Sequence, residues 1–186
     1  MSKKYYRDGK LHFKPQDIAI IVVFSAMWAV LNLSVGPIGF RLLRLPIFCD
    51  FSVYFTLLLA TWASCKTGIP SAVGIIGAII VMATTPTSTQ MIGFLASAIL
   101  FDAIMAFCKH EIILKPYNMA VAAAATLISA YFAGVVIGTV FMNGSLDWAL
   151  TYWGLWHLIG GVIGLIVAIL VIGALEKANV KGIKRA

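Results

Sequence analysis

Six long apolar runs, separated by short polar links, govern what this chain can fold into. They cover residues 17–35, 47–65, 69–85, 91–108, 118–142 and 148–175 of the 186-residue sequence. A hydrocarbon layer of about 30 Å takes about 20 helical residues to cross, and backbone polar groups inside it must be satisfied within the protein. Only 11% of the residues are charged and 61% are hydrophobic, against about 25% and about 45–50% in a soluble domain. A soluble globule of this size has no interior large enough for that much apolar surface. The composition excludes a cytosolic enzyme, a nucleic-acid binder and a disordered chain. The expected fold is an all-α integral membrane protein. It is a single domain over residues 1–186: a compact bundle of six transmembrane helices with both termini cytoplasmic, a basic N-terminus (1–16) and a basic tail (176–186).

Two runs are atypical. The third is the shortest and ends in a polar, Pro-interrupted link at 84–90. The second carries Asp50 near its start. The first run follows a basic stretch, as in a signal peptide, but it exceeds the 7–15 residues of a secretory apolar region and no A-x-A site follows. It is read as a retained helix.

Orientation follows from Lys and Arg. An even number of spans puts both ends on one side. The N-terminus, the second and fourth links and the tail together hold twelve of these residues, and the first link holds the other two, Arg41 and Arg44. The twelve mark the cytoplasmic side, so links 36–46, 84–90 and 143–147 face outward.

Small residues four apart line several runs: Ala130, Gly134 and Gly138 in the fifth, Gly160 and Gly164 in the sixth, Gly74 and Ala78 in the third. Such seams let helix backbones approach where lipid removes any hydrophobic drive, and they are read as packing within the chain. Trp148, Tyr152, Trp153 and Trp156 gather at the outer end of the sixth run. An interfacial aromatic belt and a stacking wall for a flat ligand both fit this cluster.

Several chemistries lack their residues. No G-x-x-x-x-G-K-[ST] loop is present to cradle ATP phosphates. Cys49, Cys65 and Cys108 form no CxxC pair, and His12, His110 and His157 are far apart and split between the two sides, so no metal site is expected. Asp50 and Asp102 fall near opposite faces, which rules against an aspartyl dyad. No midplane carboxylate and no pair of broken helices suggests an ion-coupled carrier.

The polar residues of the outer side converge. Arg41 and Arg44 sit in an apolar link bounded by Gly36-Pro37 and Pro46, either snorkelling to lipid phosphates or pairing with a ligand under a folded loop. Asp50 is placed to partner one of these arginines or to cap its own helix. His157, beneath the tryptophans, is either a packing residue or a ligand contact. Gln90, Asn143 and Asp147 complete the ring. Asp102, toward the other face, is assigned a structural or partner-facing role.

Taken together, these features resemble the substrate-binding S components of energy-coupling factor (ECF) transporters. The likeness is carried by the six-span size with both ends inside and by three stretches. They are Gly68-Ile69-Pro70-Ser71-Ala72-Val73-Gly74-Ile75-Ile76-Gly77, Gly93-Phe94-Leu95-Ala96-Ser97-Ala98-Ile99-Leu100-Phe101-Asp102-Ala103, and Gly154-Leu155-Trp156-His157-Leu158-Ile159-Gly160-Gly161-Val162-Ile163-Gly164. The resemblance implies capture of a vitamin or similar micronutrient from outside. It also implies association with a membrane scaffold and two cytosolic ATPases, which alone use ATP, so the chain itself needs no cofactor. The implied pocket lies at the outer ends of helices four to six, under the three outward links, with Arg41, Arg44, Asp50, Gln90, Asn143, Trp148, Trp153 and His157 as substrate-binding candidates. The family's first helix carries an Ala-x-x-x-Ala contact for the scaffold. The nearest matches here are Ser25-x-x-x-Ala29 and Ala26-x-x-x-Val30, which makes Ser25, Ala26 and Ala29 the partner-binding candidates. Met1-Ser2-Lys3-Lys4 departs from the Met-His-Ile-like start of the family's metal-uptake members, which argues against nickel or cobalt.

Two other functions compete. One is a small membrane enzyme acting on a lipid or polyprenyl phosphate head group, with Arg41 and Arg44 as phosphate clamps but no accompanying acid, base or metal set. The other is a purely structural subunit.

Overall fold

The computed structural model describes residues 13–112, 115–180 and 182. The basic residues on which the placement of the termini rests lie largely outside that range. Six helices follow in order: α1 (Pro15–Leu43), α2 (Ile47–Ser64), α3 (Ile69–Thr84), α4 (Met91–Cys108), α5 (Pro116–Phe141) and α6 (Leu146–Lys177). The fold is an all-α, membrane-spanning bundle. Five of its helices, rather than six, have the length and apolar composition of a span. The exception is α3, whose 16 residues rise about 24 Å at 1.5 Å per residue.

Local chemistry sets the helix ends. Pro15 opens α1, where the Asp17 carboxylate accepts the Lys14 backbone N–H at 2.7 Å, occupying one of the donors a helix start leaves free. Pro70 and Pro116 stand in the first turns of α3 and α5, where a missing N–H costs nothing. The start of α3 is capped from another helix. The Asp102 carboxylate of α4 accepts from the Gly68 N–H at 2.9 Å, the Ser71 N–H at 3.3 Å and the Ser71 hydroxyl at 2.6 Å.

One boundary differs from expectation in a way that matters for function. Residues 36–43, expected as part of an outward loop, continue α1 through Pro37. Gly36 and Gly39 face α2: a Cβ on Gly36 would lie 3.1 Å from Cys49 Sγ, and one on Gly39 would lie 2.7 Å from the Phe48 ring. Packing against α2 thus holds the helix past the proline. Arg41 falls in its last turn and Arg44 at its C-cap, where cations complement the helix dipole. Both side chains are exposed.

At the centre stands α2, with fourteen of its eighteen residues buried. Its polar residues are absorbed locally: Ser52, Thr56, Thr61 and Ser64 donate to carbonyls three or four residues back at 2.7–2.8 Å. Polar groups face protein rather than lipid, as the hydrocarbon layer demands. Around α2 the small-residue seams serve as expected, packing helix on helix within the chain. Gly164 abuts the Phe51 and Phe55 backbone, Gly161 abuts Ala130, and Gly74 abuts Ala98.

The partner-binding expectation for helix one is corrected by the same packing. Ser25 and Ala29 are buried, and the Ser25 hydroxyl donates to the Val73 carbonyl of α3 at 3.3 Å. Ser25 is thus engaged by α3, and Ala29 is buried within the bundle. Ala26, on a neighbouring face of the helix, is exposed.

Candidate ligand-binding site

The links that follow α1, α3 and α5 gather at one end of the bundle, and a cavity of about 260 Å³ opens beneath them. Phe40 of α1, Pro46 and Cys49 line it on one side. Gln90, Met91 and Phe94 come from the start of α4, Ile137, Phe141 and Met142 from the end of α5, and Trp153 and His157 from α6. A wide π-type turn ends α5 at Ile137–Phe141, and another lies in α6 at Ala149–Trp153. Such turns recur at functional sites because they re-aim side chains within a helix.

His157 is fully buried and is fixed by three approaches. It sits over Gly134 of α5, where an added Cβ would lie 2.8 Å from its Cβ and Cγ. Gly160, one turn on, lets α6 close on α2: a Cβ there would lie 2.7 Å from Asp50 Cβ and 2.5 Å from the Ile47 carbonyl oxygen. That closeness joins the side chains. His157 Nδ1 lies 3.0 Å from Asp50 Oδ1, its hydrogen-bond acceptor, and 2.9 Å from Oδ2, which lies off the bonding direction. A carboxylate inside a bundle needs such a partner. The ring's other nitrogen, Nε2, has no hydrogen-bond partner.

Aromatic rings continue from His157 toward the rim. Phe94 and Trp153 contact it with centroids 5.7 and 5.6 Å away, and Trp148 stacks on Trp153 at 5.3 Å with planes 19° apart. Gly138 and Gly144 seat that stack; a Cβ on Gly144 would lie 2.5 Å from the Trp148 ring. Trp153 is buried, and its indole N–H also lacks an acceptor. Tyr152 is exposed and turns outward to Trp156. The tryptophan cluster therefore divides: Trp153 walls the cavity, Trp148 backs it, and Tyr152 faces away.

Of the sequence candidates, Gln90, Trp153 and His157 line the cavity. Asp50 stands behind His157, and Trp148 behind Trp153. Arg41, Arg44 and Asn143 are exposed and are not among the lining residues. Asp50 pairs with neither arginine, because its face of α2 meets α6 while the arginines lie at the exposed end of α1. Pro46, Cys49, Met91, Phe94, Ile137, Phe141 and Met142 carry no sign of a lining in the sequence. In an apolar helix a residue facing a cavity has the same character as one facing lipid, so only Phe40, beside the arginines, carried a signal.

A second buried Asp–His pair occupies the other end of the bundle and behaves differently. Asp102 Oδ1 lies 2.6 Å from His110 Nε2, and His110 Nδ1 lies 3.4 Å from the Thr67 hydroxyl. Its other carboxylate oxygen takes the three donors at the start of α3. Every polar atom of that pair is engaged, and its role is to tie α3, α4 and the following link together. Among the described residues, no three His, Cys, Asp or Glu side chains come together as a metal site.

No protein-family model, curated protein or solved structure matches the chain.

Proposed function

We propose that this chain is the substrate-capture subunit of a micronutrient uptake transporter, working in the manner of the ECF S components it resembles. The observation that supports this reading best is the cavity beneath one set of links, bordered by two buried rings with unpaired nitrogens. A buried polar atom without a partner costs about 1–3 kcal/mol, and a bound molecule that pairs with it offsets that cost.

In this reading all six helices cross the membrane, α3 by local thinning of the bilayer, and the twelve-to-two division of Lys and Arg puts the cavity outside and both termini in the cytoplasm. The chain has no phosphate-cradling loop and hydrolyses nothing. ATP is consumed by two cytosolic partners coupled through a membrane scaffold. The scaffold meets the exposed face of α1 that includes Val22, Val23, Ala26 and Val30, since Ser25 and Ala29 are buried.

The test is energetic. Ligand binding by the isolated chain is expected to survive without ATP, whereas net uptake is expected only with the ATPases and scaffold present. Accumulation by this chain alone in sealed, ATP-free vesicles under an ion gradient would identify a secondary carrier instead.

A further inference from the structure

The charged residues at the cavity end of the bundle are Arg41, Arg44, Asp50 and Asp147, and none of them lines the cavity. Arg41, Arg44 and Asp147 are exposed, although Arg41 directly follows the lining residue Phe40. Asp50 is fully buried and bonded to His157. The His157 ring is positive only when protonated, and a carboxylate oxygen is then 2.9 Å away. In neither state does the ring offer an anion an uncompensated positive charge. A cation, for its part, meets no carboxylate in the lining. Burying an ion without compensation is strongly disfavoured, so the site selects against both signs of charge.

The lining is instead aromatic and polarisable. Phe40, Phe94, Phe141 and Trp153 bring rings, and Met91 and Met142 bring thioethers. Such side chains pack well against a flat ring. Gln90, half-buried at the N-cap of α4, adds an amide, which donates and accepts hydrogen bonds without carrying charge. At about 260 Å³ the space is under the roughly 300–1,000 Å³ of drug-sized sites, which suits one small ring system. Resting on the capture reading above, we infer that the captured molecule is uncharged and built on a flat aromatic ring. A carboxylate, phosphate or quaternary ammonium group excludes a compound from the site.

The test uses probes matched in shape that differ in charge. The purified chain in detergent is incubated at neutral pH with indole-3-carboxamide, nicotinamide and benzamide, with the corresponding carboxylates, and with benzyltrimethylammonium. Retention after ultrafiltration is read by mass spectrometry as the excess over protein-free micelles. At least one amide is expected to be retained, and its carboxylate and the ammonium probe about tenfold less or weaker still. Phe94→Leu keeps an apolar side chain but removes a ring, and is expected to lower amide retention about fivefold. Gln90→Arg puts a cation in the lining at a half-buried position, and is expected to narrow the amide-to-carboxylate ratio. A smaller preference for the amide in the parent chain, or the reverse order, overturns the uncharged class. If the charged probe then retained is lost in Phe94→Leu, capture in this cavity stands and only the ligand class has failed. Retention of no probe, or retention that neither variant changes, overturns both.

Discussion

His157 Nδ1 and Asp50 Oδ1 meet at 3.0 Å across 107 positions of sequence, in the interior of the bundle. The contact locks α6 to α2, and the ring's Nε2 is left without a hydrogen-bond partner. The comparable pair at the opposite end, Asp102 with His110, leaves nothing unpaired. Two pairs of the same chemistry thus have different work: one closes the structure, the other presents an unsatisfied atom beside a cavity.

The saturated pair yields a stability prediction. Asp102→Ala leaves the donors of Gly68 and Ser71 without their acceptor and His110 Nε2 with only the Asp102 backbone carbonyl at 3.1 Å, at about 1–3 kcal/mol for each buried group left unpaired. The variant is expected to melt at lower temperature in detergent. Its ligand affinity, where it remains folded, is expected to match the parent. Unchanged melting would mean that Asp102 does not hold the start of α3.

The close approach of α6 to α2 is tested at Gly160. Gly160→Ala places a methyl group against the Ile47 carbonyl and Asp50 Cβ, an overpacking expected to cost about 1–3 kcal/mol. It also parts His157 from Asp50, so binding weakens along with stability. Gly173→Ala, with nothing within 4 Å of the added carbon, is the control and is expected to leave both unchanged. Equal behaviour of the two variants would contradict the packing described.

The arginines provide the sharpest departure from the sequence reading. A shielded arginine on a ligand would contribute about 1.5–3 kcal/mol. Arg41 and Arg44 are exposed and do not line the cavity. Arg41→Ala and Arg44→Ala are therefore expected to bind within about twofold of the parent, that is, within about 0.4 kcal/mol. A tenfold loss in either would bring the α1 end over the ligand.

Orientation is open to labelling, since the native Cys49, Cys65 and Cys108 are buried. In a background lacking them, a cysteine at the exposed Asn143 is expected to react with an impermeant reagent on whole cells, and one at Ser2 is not. The reverse pattern would put the cavity on the cytoplasmic side and end the capture reading.

What the sequence disclosed follows from which signals are local. Run lengths gave the helices, and spacing of four in small residues gave the seams at Gly134, Gly138, Gly160 and Gly164. The extension of α1 was hidden because Gly36-Pro37 is a strong local break signal, overridden by packing of Gly36 and Gly39 on α2. Ser25 and Ala29 looked like a docking stripe because a stripe does not state which helix uses it. Asp50 and His157 were each assigned to the same end of the bundle, where they meet, yet their pairing needs the α2–α6 contact, which no local pattern encodes.

The most direct measurement is of small molecules retained by the purified chain without nucleotide, compared between the parent and Trp153→Phe and His157→Asn. The parent is expected to hold one small molecule in about equal amount to the protein, and both variants to lose it by about tenfold. A parent that retains nothing, or variants that retain as much as the parent, would contradict a capture site at His157 and Trp153.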